Sequence, residues 1–487
     1  MLFLGLDVGT SGVKAVICDS NNKVMSSSHA PLTVSRPHPL WSEQNPTDWW
    51  SATNKAVMDL DPKIRSGVKA IGLSGQMHGA TLLGEDGKAI RPAILWNDGR
   101  SASQCKTLET QIPNLRLITG NCAMPGFTAP KLLWVKENEP DIFKKISKVL
   151  LPKDYVRLRM TGEYASDMSD SAGTLWLDTA ARDWSSEVLS ACGLSDKNMP
   201  RLFEGTEATG QLRAELAEAW GMDKVVVAAG GGDNAAGAVG SGIYSRGDGF
   251  LSLGTSGVIF LADDAYRPHP DGGIHTFCHA LPDRWHQMSV MLSAASAIDW
   301  VSSVCGFKSP AKLYEKAASR NKPSNQEIFL PYLSGERTPH NDPLAQGVFF
   351  GLNHSTTAED MAQAALEGVA FGLADGINSL KDSGAEIRSL SVIGGGARSD
   401  YWGEILASIF DLPLIYRDGG AVGPAYGAAR LARLCHSKEA IKDVCTSPKI
   451  TNVIEPNLAL RDHFKPRQAL FNKLYTSLSD LFKENQS

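Results

Sequence analysis

No Cys-x-x-Cys pair occurs in this 487-residue chain, although it holds eight cysteines. They are scattered at positions 18, 105, 122, 192, 278, 305, 435 and 445. Zinc-ribbon and dithiol redox chemistry therefore lack their spacing, and reduced thiols in a cytoplasm are expected. There is no basic excess either: 48 Lys and Arg stand against 53 Asp and Glu, a net charge of −5. That argues against nucleic acid and anionic membrane as partners. No uncharged run is long enough to span a bilayer. The opening "MLFLGLDVGT" has no basic segment and is broken by Asp7, which is not the pattern of a secretory signal. The usual nucleotide signatures are missing as well. There is no G-x-x-x-x-G-K-[ST], no strict G-x-G-x-x-G, and no H-R-D with D-F-G, which excludes P-loop enzymes and protein kinases.

What is present is a repeat. "LGLDVGTSGVKAV" begins at Leu4 and "LSLGTSGVIFL" at Leu251, and both read as strand, Gly-Thr-Ser-Gly loop, strand. A second pair follows the same logic. "VVVAAGGGDNAAGAVG" (225–240) and "LSVIGGGARSDYWGEIL" (390–406) each run from an apolar strand through three glycines into a helix. Each half of the chain thus offers a hairpin loop and a glycine-rich strand-to-helix turn. Two related α/β domains are expected, 1–245 and 246–487, joined near the Gly-rich "GSGIYSRGDG". Helices are expected over 47–60, 129–140 and 357–380, the last capped by Thr357, and strands over 68–76 and 90–98.

The chemistry follows from these loops. A Gly-Thr-Ser-Gly loop turns backbone N–H groups and two hydroxyls toward one small anion, a nest suited to phosphate. Two such loops can grip a polyphosphate from both sides of a cleft. Thr10 and Ser11 mark the first loop, Gly254 and Thr255 the second, with Lys14 on the strand returning from the first. Asp7, just before the first loop, can orient water on a Mg²⁺ beside the phosphates. Asp233 opens the helix after the first triple glycine. It reads either as a helix cap or as the base that takes a proton from an attacking hydroxyl. Gly395, Gly396 and Ala397 form the matching turn in the second half, where backbone can approach an adenosine. "SGQMHG" (74–79) and "WNDGR" (96–100) offer Gln76, His78, Asn97, Asp98 and Arg100 to a polyhydroxylated ligand.

These residues carry a resemblance that covers essentially the whole chain. "LDVGTSGVK", "SGQMHGATLL", "ILWNDGR", "LPKDY", "SDMSDSAGT", "AGGGDNAAGAVG", "LPYLSGERTPHNDP" and "IGGGARS" resemble the FGGY carbohydrate kinases. Two long gapped signatures of that family also fit, over 126–138 with Lys131 and Trp134, and over 347–367 with Gly347, Gly351 and Glu367. The resemblance implies an α/β fold of two ribonuclease-H-like, actin-like ATPase domains with the active site between them. It implies ATP and Mg²⁺ as cofactors and a sugar as the phosphate acceptor. It assigns Asp233 as the base, Asp7 to the metal, and Thr10, Ser11, Gly254, Thr255, Gly395, Gly396 and Ala397 to the nucleotide. It places Met77, His78 and Asn234 on the sugar. The glycerol kinase branch would carry Arg-Glu at 77–78. Met-His there implies a ketopentose, D-xylulose, with ribulose or 1-deoxy-xylulose as alternatives. A non-enzymatic actin-fold ATP-binding protein is the rival from another class, and it has no use for a carboxylate at 233. A homodimer is an expectation carried by the family alone.

Overall fold

The computed structural model describes residues 1–320, 326–418 and 423–485. Two seven-stranded sheets organise them. The first contains β1 (Leu2–Val8), β2 (Gly12–Asp19), β3 (Val24–Pro31), β4 (Val68–Gly75), β5 (Ala208–Gln211), β6 (Val226–Ala228) and β7 (Gly231–Gly232). Its order is β5–β6–β4–β1–β2–β3, with β7 paired beside β6 on β4. The second contains β8 (Asp248–Leu253), β9 (Gly257–Asp263), β10 (His275–Cys278), β11 (Trp285–Met291), β12 (Ser389–Ile393), β13 (Leu414–Arg417) and β14 (Ile450–Ile454), in the order β10–β11–β9–β8–β12–β13–β14.

The two sheets share one plan. In the first, β1, β2 and β3 form an antiparallel meander, and β4 lies parallel to β1 on its far side. In the second, β8, β9 and β11 form the meander and β12 lies parallel to β8. The repeated Gly-Thr-Ser-Gly strings are the hairpin loops of these two meanders. β1 is apolar up to Asp7 near its end because both faces of the sheet are covered, whereas the edge strand β3 carries serines and alternates between exposed and half-buried residues. Of the strand expected over 90–98, only Ala93–Ile94 pairs, against Glu43–Gln44. Asp98 accepts from the Ser42 N–H and from Arg100 and so turns the chain out of the strand.

Four helices bear on the site. α1 (Pro152–Thr161) backs the first sheet, and α2 (Asp233–Ser241) leaves β7. α3 (Ala358–Asp382) starts with a capping box of Thr357 and Asp360 and runs through the core of the second half. α4 (Pro424–Ser437) belongs to the second half by sequence, yet it lies on the first sheet. Its approach needs glycine beneath it: a Cβ at Gly5 would run into the Ala425 carbonyl, and one at Gly72 into that of Ala428. Ala425, Tyr426, Ala429 and Ala432 share a buried cluster with Phe3, Val16 and Ala70 of the sheet. α4 also crosses α2 closely, where Gly427 faces the Ala236 carbonyl. Among the described residues, no helix is long and apolar enough to cross a membrane.

Candidate active site

β1, β4 and β7 run parallel, so their C-terminal ends meet at one edge of the first sheet. Asp7 stands there on β1, opposite Lys14 on one side and Ser74 on the other. Ser74 in turn faces Gly231, and Gly232 leads directly into Asp233. Asp7 and Asp233 are thus brought to one edge from strands two spacings apart, roughly 10 Å between backbones. Gly232, not Asp233, is the N-cap of α2. Asp233 is the first helical residue, and its Oδ1 accepts from the Asn234 N–H at 2.7 Å and from Asn234 Nδ2 at 3.0 Å.

The two carboxyls repel. Burial, then the charge of Asp233, pushes the Asp7 carboxyl up to about 7, against the pull of Ser74 and Lys14. Asp7 Oδ1 is buried without a hydrogen-bond partner. A divalent cation there would relieve that repulsion and favour the ionised carboxylate, and an unpartnered buried carboxylate oxygen fits a Mg²⁺ site. Among the described residues no cluster of three or more His, Cys, Asp or Glu forms a cage for a metal. Burial pushes Asp233 up to about 6, held back by the two Asn234 donors. It is therefore mostly ionised at neutral pH and able to accept a proton.

The first loop is tightly braced. Gly9 N–H closes on Gly12 O at 3.0 Å, and the Leu32 N–H donates to Ser11 O at 2.9 Å. Thr10 Oγ1 donates to Gln76 Oε1 at 2.8 Å and accepts from Trp96 Nε1 at 3.0 Å. Gln44 Nε2 donates to Thr10 O, and Gln76 Nε2 to Gln44 Oε1. Gln76 is buried, and its amide holds the loop in shape. The second loop rests on the helix at Ala295–Val304: the Ala294 and Ala295 N–H groups donate to Thr255 O and Gly254 O, both at 3.0 Å. The Gly395–Arg398 turn follows β12 and folds against Leu253, the residue before that loop. Gly394 sits at φ +97°, where a Cβ would lie 2.7 Å from Leu253 O. The Gly394–Gly396 turn and the second Gly-Thr-Ser-Gly loop are therefore neighbours. The backbone of Ala397 is in this turn, while its side chain lies outside what is described.

His78 has a left-handed backbone, φ +68°. Buried Lys131 fixes that turn, donating to His78 O at 2.9 Å and to Gly126 O at 2.7 Å. His78 Nδ1 lies 2.5 Å from Gly173 O, so it must carry the proton, which leaves Nε2 as an acceptor. Burial and the Lys131 charge push this imidazole down to about 3, so it is neutral. Met77 is buried and packs on Gly232, one residue from Asp233. Asn97 is exposed. Asp98 and Arg100 are paired with each other, at 2.9 and 2.7 Å, and Arg100 stacks on Trp41.

Sequence reasoning missed the wall that continues from His78. Its ring meets Phe127 edge-on at 4.9 Å, Phe127 meets Phe277 and His275, and Arg337 Nη1 lies 3.5 Å from His275 Nε2. Phe127 and Arg337 fall within quoted family strings, but the positions are far apart in the chain and come from both halves, so no local pattern shows that they meet.

A model described as the FGGY family of carbohydrate kinases, N-terminal domain, matches residues 2–240, and its C-terminal counterpart matches 249–434. The chain is 52% identical over 482 residues to the xylulose kinase of Escherichia coli (strain K12), covering 99% of this chain and all of that one. It is 35% identical over 486 residues to the xylulose kinase of Bacillus subtilis (strain 168), covering 98% and 97%. A crystal structure described as a xyloylose kinase from Brucella ovis superposes with a TM-score of 0.96 at 49% identity, covering 99% of this chain and 100% of that one.

Proposed function

The chain belongs to the FGGY family of carbohydrate kinases, and from that premise we propose that it transfers the γ-phosphoryl group of ATP to O5 of D-xylulose with Asp233 as general base. The halves have the ribonuclease-H-like, actin-like ATPase architecture, and the reaction is ATP-dependent phosphorylation of xylulose. The observation that supports the roles best is the placing of an ionised carboxylate, Asp233, at the sheet edge that also carries the first phosphate loop and Asp7.

Each part has one task. The Gly9–Ser11 and Gly254–Ser256 loops offer backbone N–H groups and hydroxyls to the phosphate chain. The Gly394–Gly396 backbone leaves room for adenosine. His78 Nε2 accepts a sugar hydroxyl, with Met77 and Asn234 beside it. Asp233 takes the O5 proton as the O5–P bond forms and the bond from phosphorus to the β,γ-bridging oxygen breaks, releasing ADP. The proton then passes from Asp233 to solvent. Asp7 would hold Mg²⁺ through water. Bound there, the ion neutralises phosphate charge. A coupled ADP-release assay over a panel of ketoses and polyols tests the reading. D-xylulose should give the highest kcat/KM, and a higher value for glycerol or ribulose would contradict it.

A further inference from the structure

A buried ionic cluster lies behind the base. Lys153 Nζ is 2.6 Å from Asp154 Oδ1, 2.7 Å from Asp167 Oδ1 and 3.2 Å from Asp170 Oδ2. All four side chains are fully buried. Arg157 joins the cluster through Asp154 at 2.6 Å and donates to the Ala165 and Ala229 carbonyls. Three carboxylates face two cations. Burial drives Asp170 well above the usual carboxylate range, against the pull of the Lys153 ammonium.

One carboxylate of this cluster reaches toward the active site. Asp167 Oδ2 caps the short helix Met168–Ala172, accepting from the Ser169 N–H at 2.8 Å and the Asp170 N–H at 3.2 Å. It also accepts from the Ser169 hydroxyl at 2.5 Å. That hydroxyl has its proton committed to Asp167, and its oxygen accepts from the Gly232 N–H at 3.0 Å. Gly232 is the N-cap residue immediately before Asp233. Six residues after Asp167, the same segment ends at Gly173, whose carbonyl accepts from His78. The segment 167–173 therefore touches the turn that carries the base at one end and the sugar loop at the other.

We propose that Ser169 is a positioning residue for Asp233, and that the 167–173 segment, staked to Lys153, fixes the base and the sugar loop relative to one another. This rests on the reading of Asp233 as the base. The physical basis is that a charge-backed hydroxyl is a stronger and more directional acceptor than water, and a fully buried N–H has no other partner to choose. A base misplaced by a fraction of an ångström leaves ligand binding intact and slows transfer.

The test compares Ser169→Ala, Asp233→Asn and the double variant in steady-state kinetics, with thermal unfolding and ATP affinity measured on each. Ser169→Ala should lower kcat about tenfold while both KM values stay within about twofold. The Ser169→Thr variant, which keeps the hydroxyl, should recover most of that loss. The double variant should be no slower than Asp233→Asn, because Ser169 acts through Asp233. A kcat within twofold of the parent in Ser169→Ala, or losses that multiply in the double variant, would overturn the role of Ser169 and leave the base assignment standing. A mild effect of Asp233→Asn would overturn the base assignment, and this role with it.

Discussion

Burial raises the proton affinity of Asp233 and the two donors of Asn234 lower it, which leaves the carboxyl near 6. The sign of the pH dependence follows. The base form is present above that value and is lost as pH falls through it, so kcat/KM for the sugar should be level above neutrality and fall with a one-proton limb near pH 6. A profile that stays level down to pH 5 would show that Asp233 does not accept the proton in the transition state. His78 acts differently, because its ring is neutral across the working range and contributes one acceptor nitrogen. His78→Ala should raise KM for D-xylulose about five- to tenfold, the order of one hydrogen bond, and leave KM for ATP nearly unchanged. Equal rises in both would make His78 a support for the fold. At this scale the sequence was partly transparent. Asp233 stood out because three glycines precede it, and Asp7 because it enters a repeated loop. The bracing role of Gln76 was hidden, because it depends on Thr10 and on Gln44, which no motif singles out.

Loops and turns made of small residues leave readable strings, since backbone approach to a ligand or a neighbour admits few side chains. That is why both hairpins and both glycine turns could be located from the chain alone. Gly254 offers a clean test of the second loop. A Cβ there would meet only Ser256 O at 3.6 Å, so the fold has room for a side chain that would crowd a phosphate bound at this loop. Gly254→Val should fold normally, bind an ATP analogue at least tenfold more weakly in calorimetry, and bind sugar unchanged. Normal nucleotide affinity would make the loop an ordinary turn. Elements whose role depends on distant partners were not legible. α4 reads as any small-residue helix, and only its seat on Gly5 and Gly72 shows why it is one. The ion cluster of Lys153 joins the stretch 153–157 to the stretch 167–170, and neither string shows that the two meet.

Over the whole molecule, the proposed sugar loop and base lie on the first sheet, the turn proposed for adenosine lies on the second, and the two Gly-Thr-Ser-Gly loops proposed for phosphate are divided between them. Neither half completes the site, so closure of the cleft should accompany catalysis. The sequence suggests a hinge in the Gly-rich stretch after α2. The structure adds a second crossing, where α4 returns to the first sheet and meets α2 at Gly427. Movement of the halves must bend both connections. Small-angle scattering should show a smaller radius of gyration with D-xylulose and a non-hydrolysable ATP analogue together than with neither. An unchanged radius in all ligand states would remove the hinge and leave the chemistry untouched. The chemistry itself is tested most directly by following D-xylulose and ATP with ³¹P NMR, using the parent protein and Asp233→Asn at equal concentration. The account predicts one 5-phosphate ester formed per ADP with the parent, and a rate at least ~10²-fold lower with the variant although ATP still binds. An ester at another hydroxyl, or more than a tenth of the parent rate in the variant, would contradict it.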